Sequence, residues 1–292
     1  MKRILLLAVV VAGTLAVGGC TASQESAEAT PAKNLEQWVL PLDQFASSTS
    51  GLRDYVENLM VADCLGKQGI DWPVPWRPLD ASQVSPSYTA GGARLFTETI
   101  ATRYGYHLIP VVYQGREEQR EASTQIAALV QRDPSVDDKS TACLDKARIT
   151  IPLPSMENYN YATLSAAAVF DASLQDDAVL TATQAWQTCI DRAGFGGLAD
   201  SPVDMPGEAK FMEWDLGAPS DVVPISAEEI RMATADATCR LSSGWSEALY
   251  DASYSRQVAL VKENADKLNR IRDELKQDQE RLLDTAAKYA PK

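Results

Sequence analysis

Four cysteines and a single histidine are the residues of this 292-residue chain best suited to chemistry, once Cys20 near the start is set aside. A metal centre would ask for ligands at short, regular spacing, and a redox pair for Cys-x-x-Cys. Cys64, Cys143, Cys189 and Cys239 offer neither, and His107, in "YGYHLIP", has no serine or cysteine partner and no ligand spacing around it. His107 is therefore read as a packed or surface histidine, and no metal and no cofactor are expected. An even number of cysteines in an exported chain argues instead for two disulfides. Three pairings are open. Cys64 with Cys143 and Cys189 with Cys239 is favoured, because it divides the chain into two successive halves of the same plan: a cysteine on a helix, a long insertion, a cysteine on a helix.

Carboxylates are the next candidates. Glu117 with Glu118, Asp137 with Asp138, and Glu228 with Glu229 are acidic pairs that could serve as general acid and base on a glycan. Neighbouring carboxylates on a helix more often form a solvated face. Asp63 and Asp236 stand on cysteine-bearing helices ("ADC" and "ADATC"), where a carboxylate can hold the backbone of another helix. There is no Gly-x-Ser-x-Gly elbow, no His-Glu-x-x-His, no Ser-x-x-Lys and no phosphate-cradling glycine loop, so no catalytic residue is nominated and no enzyme is expected. Trp72 and Trp76 bracket "WPVPW", a proline-stiffened loop able to present two aromatic faces to a sugar, a peptide or a protein, and Trp214 stands in the corresponding loop of the second half. These three are the candidate partner-binding residues. The plainer reading of the same rings is core packing.

The start of the chain supplies an address. Lys2 and Arg3 precede an apolar run over residues 4–17 that ends in "VGGC", too short for the roughly 20 residues of a membrane-spanning helix. Residues 1–19 read as a lipoprotein signal peptide and Cys20 as the lipidated mature N-terminus, anchored to the membrane by acyl chains. Residues 20–45, rich in Ser, Ala, Glu and Thr at first, read as a tether. Losing Lys2 and Arg3 takes the formal charge from −13 to −15, with 25 basic against 40 acidic residues. So acidic a chain suits neither nucleic acid nor anionic headgroups.

The elements that must position these residues are helices. Apolar spacing predicts them over residues 52–69, 92–104, 116–132, 136–146, 161–174 and 178–192, and Ser226 with Glu229 forms a capping box ahead of "IRMATADATC". Gly69, Gly194 and Gly244 each stand five residues after a cysteine and just before an apolar residue. That is the signature of a helix ending in a left-handed turn. Arg148 occupies the equivalent place after Cys143, where Pro152 suggests that the helix simply runs out. Residues 106–113 are at most a short edge strand, because Pro110 interrupts them. From 246 to 289 there is neither Gly nor Pro, and Val261, Leu268, Leu275, Leu282 and Tyr289 recur every seven residues, which predicts one long helix. Its companion row, Ala265, Arg272, Gln279 and Ala286, is half polar, so the seam is expected to pack on the protein's own helices in a monomer.

The "VGGC" box, "AWQTCIDRAGF", "EIRMATADATCRLSSGW" and the long charged helix that follows resemble a family of actinobacterial surface lipoproteins with paired Cys-x4-Gly helical segments. The resemblance runs from about Leu52 onward; it implies an all-helical extracytoplasmic protein and carries over no catalytic residue. The expected fold is thus all-α: a disulfide-braced helical domain of two similar halves (46–155 and 156–245) with long loops, and a long C-terminal helix (246–292). The expected function is a membrane-anchored, non-catalytic binding module for an envelope protein or cell-wall component. A carboxylate hydrolase and a solute-binding lipoprotein are the alternatives, and the scarcity of strands weighs against the second.

Overall fold

All three glycines that follow a cysteine by five residues take a left-handed backbone, with φ of 76° at Gly69, 85° at Gly194 and 72° at Gly244. At the first two the hydrogen bonds are those of a Schellman ending: Ile70 N–H donates to Leu65 C=O and Gly69 N–H to Gly66 C=O, and Phe195 and Gly194 repeat the pair with Ile190 and Asp191. A side chain added at any of the three would meet no atom within 4 Å. Glycine is therefore required by φ and not by space. Gly194→Ala should lower stability by about 1–2 kcal/mol in urea unfolding, the cost of a left-handed L-residue; no loss would show that the turn can relax.

The computed structural model describes residues 31–46, 49–74, 95–109, 115–217 and 222–290. The proposed signal peptide, Cys20 and Trp76 lie outside them. Among the described residues there are ten α-helices and no strand: α1 (Ser50–Gly66), α2 (Glu98–Tyr104), α3 (Arg116–Arg132), α4 (Ser135–Thr150), α5 (Met156–Ser173), α6 (Asp177–Arg192), α7 (Glu208–Glu213), α8 (Ala227–Ser242), α9 (Trp245–Glu263) and α10 (Ala265–Tyr289). The protein is all-α, and its disulfides are Cys64–Cys143, joining α1 to α4, and Cys189–Cys239, joining α6 to α8. No described helix is long and apolar enough to cross a membrane. At Arg148 no left-handed turn occurs. α4 runs on to Thr150, and Arg148 pairs with Glu57 of α1 at 3.3 Å.

Several expectations are corrected. The two disulfide units follow one another along the chain but do not pack separately, because α2 packs on α8, and Phe96, Ala101 and Tyr106 share one core with Trp186, Ile190, Met232 and Ala237. The first half's insertion carries an apolar stripe that its own half does not cover, and the second half's helices do. Nor does the expected tether extend to residue 45. Trp38, Leu40, Leu42 and Phe45 are buried, and α9 holds this strap by its backbone: Tyr254 Oη donates to Pro31 C=O, Tyr250 Oη accepts from Asn34 N–H at 2.7 Å and donates to Val39 C=O at 2.9 Å, and Gln257 Oε1 accepts from Leu42 N–H at 2.8 Å. Tyr250, Tyr254 and Gln257 recur at helical spacing, so one face of α9 binds the strap.

The C-terminal segment is helical throughout except at Asn264, where φ is −114°. At this break between α9 and α10, Asn264 Nδ2 donates to Leu260 C=O at 2.9 Å beside its own N–H at 3.0 Å, and Tyr161 Oη donates to Asn264 Oδ1 at 3.2 Å, so side chain and backbone share one carbonyl. The heptad seam faces inward as expected. Leu268, Leu275 and Leu282 are buried, with α1 and α5 packed against α10.

Candidate functional site

The two described tryptophans among those proposed for binding, Trp72 and Trp214, are packed against the body. Trp72 lies on the cluster of Val61, Leu65 and Cys143 beside the first disulfide. Trp214 is 9% exposed in the core that holds Trp186, with its ring stacked on Tyr106 at 6.4 Å and Lys210 4.9 Å above it. The second proline-rich loop is thus a core-covering element, in which Pro202, Met205 and Leu216 are also buried and which forms the unforeseen helix α7. Of the two singled-out aspartates, Asp63 is exposed and pairs only with Lys67 on its own helix, at 2.6 Å. Among the described residues it holds no other helix.

Asp236 does. It is fully buried on α8, and it accepts from Trp186 Nε1 of α6 at 2.9 Å, from Tyr106 Oη at 3.2 Å, and from Arg240 Nε and Nη2 at 2.9 and 2.8 Å. Its partners are side chains, where a backbone contact was expected. Arg240, also fully buried, donates to Pro202 C=O and lies 5.0 Å from the Phe96 ring and 5.3 Å from that of Trp245. One ion pair therefore ties α8 to α6, to the segment around α2, to the 202–204 turn and to α9. Burial and the Asp236 charge hold the Tyr106 phenol well above its ordinary pKa, so it serves as a hydrogen-bond donor.

A second buried group sits about two turns earlier on α8. Ser226 Oγ caps that helix by accepting from Glu229 N–H at 3.1 Å, as the capping box requires. The Glu229 carboxylate also accepts from Tyr106 N–H at 2.8 Å and lies 3.4 Å from Nε2 of His107. His107 and Glu229 are 0% and 1% exposed, which resolves the histidine as a packed one. Burial raises the Glu229 pKa, against the lowering pull of the Tyr106 N–H, of His107 and of the Ser226 N–H. Gly105 (φ 55°) makes this possible, because a Cβ there would stand 2.1 Å from Glu229 Oε1. The carboxylate read as half of an acidic pair is a structural lock, while its neighbour Glu228 pairs with Lys210 at 3.0 Å.

Among the described residues, a groove of about 420 Å³ lies open over the first disulfide. It is lined by Met60, Asp63, Cys64, Lys67 and Gln68 from α1 and its ending, by Cys143, Lys146, Ala147 and Thr150 of α4, and by Tyr289 at the end of α10. The floor is apolar: Met60, Ala147 and Cys143 are buried. Above it Gln68 Nε2 donates to Cys64 C=O at 3.3 Å and lies 3.6 Å from the Cys143 sulfur. Two smaller depressions each carry one carboxylate or none: one between α1 and α3 holds Asp54, and one beside Phe45 and Arg272 holds no carboxylate. The groove over the disulfide holds only Asp63. None of the three provides the facing pair that glycoside hydrolysis uses. Among the described residues no group of three or more His, Cys, Asp or Glu gathers as a metal site. No protein-family model, curated protein or solved structure matches this chain.

Proposed function

We propose that this chain is an extracytoplasmic module of the cell envelope, as its resemblance to actinobacterial surface lipoproteins implies, held by a lipid anchor and binding an envelope component without transforming it. The observation that carries the reading is the pair of disulfides, which suit an oxidising compartment, one of them, Cys64–Cys143, bracing the helices on either side of an open groove. The "VGGC" box supplies the anchor at Cys20. The contact surface moves from the tryptophans, of which Trp72 and Trp214 pack against the body, to the groove over Cys64–Cys143.

Two measurements test this. Metabolic labelling with a palmitate analogue should mark the wild type and lose at least nine-tenths of its signal, as an order-of-magnitude expectation for a single lipidation site, in Cys20→Ala; a variant that keeps its label would remove the anchor. Affinity capture from detergent-solubilised envelopes should recover a component that a mock column does not. An empty capture in repeated detergents would end the binding reading.

A further inference from the structure

We infer that the groove over Cys64–Cys143 is a binding site for a carboxylate-bearing sugar, the type of unit in which a hydroxylated ring carries an acidic substituent. The inference rests on the binding role proposed above and names the ligand for it. Charge gives the first argument. On a mature chain of net charge −15, two ammonium groups, Lys67 and Lys146, line this one groove against a single carboxylate, Asp63. Asp63 is already engaged: it lies 2.6 Å from Lys67 and, with the nearby Tyr289 phenol, raises the Lys67 pKa, so that lysine stays charged. Lys146 is exposed and, among the described residues, pairs with no carboxylate. The groove can therefore accept an anion that the rest of the surface repels.

Shape and lining give the second. The volume of about 420 Å³ holds one or two sugar rings, and the floor of Met60, Ala147 and the cystine offers apolar surface to the C–H face of such a ring. Around that floor the Gln68 amide provides both a donor and an acceptor, and the Thr150 hydroxyl, which donates to Lys146 C=O at 2.9 Å, keeps lone pairs free to accept. Neutral planar and hydroxyl groups of this kind match sugar hydroxyls, and a bare inorganic anion would leave the apolar floor uncovered. The Tyr289 ring contributes its edge and hydroxyl, since it packs against the α1 and α4 core and Lys288 lies 5.3 Å over the ring. A stacking platform is not required of it.

The probes are N-acetylmuramic acid, N-acetylglucosamine, which lacks the lactyl ether with its carboxylate, and lactate, which lacks the ring. Saturation-transfer titrations on the full-length, detergent-solubilised lipoprotein should give a Kd of about 1 mM for the acidic sugar. N-acetylglucosamine and lactate should each bind several-fold more weakly. Lys146→Gln should weaken the acidic sugar about threefold, as befits an exposed charge pair, and Lys146→Glu about tenfold. Because Lys146 is exposed, neither change threatens folding, and an unchanged thermal midpoint verifies this. Equal affinities for the three probes, no binding of the acidic sugar, or indifference to Lys146→Glu would each overturn the inference. If envelope capture succeeds while the acidic sugar fails, the binding role stands and only this ligand falls; if capture is empty, the broader reading falls on its own.

Discussion

Asp236→Ala will destabilise the protein by about 3–5 kcal/mol, the range for removing one partner of a buried ion pair. The carboxylate accepts four hydrogen bonds from three directions, so its loss strands the Trp186 N–H, the Tyr106 hydroxyl and the Arg240 guanidinium in a site from which water is excluded. Asp236→Asn keeps the shape yet turns an amide N–H₂ toward a donor, so it should lose nearly as much. The pair Asp236→Leu with Arg240→Met removes both charges together and should lose less than Asp236→Ala alone, because buried ion pairs are often no better than apolar groups of similar size. Urea unfolding of the three variants decides the matter. A loss below about 1 kcal/mol for Asp236→Ala would mean that water enters the cluster and solvates what the carboxylate leaves behind.

How much of this was legible in the sequence depends on how local the cause is. The helix-ending glycines could be read because the left-handed turn is dictated by one residue and its neighbours, and the inward seam of α10 because heptad spacing encodes a face. The disulfide pairing followed from symmetry of placement, and it held even though the halves themselves interlock. What escaped was nonlocal. Nothing within residues 95–109 says that their apolar stripe will be covered by α8, more than a hundred residues away, and nothing within residues 31–46 marks them as a strap until Tyr250, Tyr254 and Gln257 are seen on one face of α9. Asp236 was singled out for its position on a cysteine-bearing helix, whereas its partners Trp186 and Tyr106 lie on two other segments. The same holds for Asp278, between Leu275 and Leu282, which receives both Nη2 contacts of Arg53 at 2.7 Å, while Arg53 Nη1 donates to Ile151 C=O at 2.8 Å. Asp278 stands beside the apolar seam, so heptad spacing alone gave no signal for it. The groove needed three elements brought together, with residues 60–68, 143–150 and 289 on one surface.

The other large effect belongs to the disulfides. Cys64→Ala with Cys143→Ala, and Cys189→Ala with Cys239→Ala, each release a closed loop, of 79 and 50 residues respectively. The chain-entropy estimate gives about 4 kcal/mol for either. Entropy therefore does not separate the two bonds, and the packing around them must. Cys189–Cys239 joins helices that Asp236 and Trp186 already tie together at 2.9 Å, so α6 and α8 should stay docked at the expected reduced stability. Among the described residues the polar ties between α1 and α4, the half-exposed Arg148–Glu57 pair and the Arg53 bond to Ile151, lie away from the groove end of α1, where the apolar packing of Val61 and Leu65 against Leu144 is left. Without Cys64–Cys143 that end should open, raising amide exchange over residues 60–70 and 140–147 about tenfold or more before global unfolding, as expected for a local opening of low free energy. The 189–239 variant should show no such local acceleration. Exchange mass spectrometry on both variants at matched denaturant distinguishes the cases: uniform acceleration in each would mean that the bonds act only on the unfolded chain, and that the groove keeps its shape without the cystine beneath it.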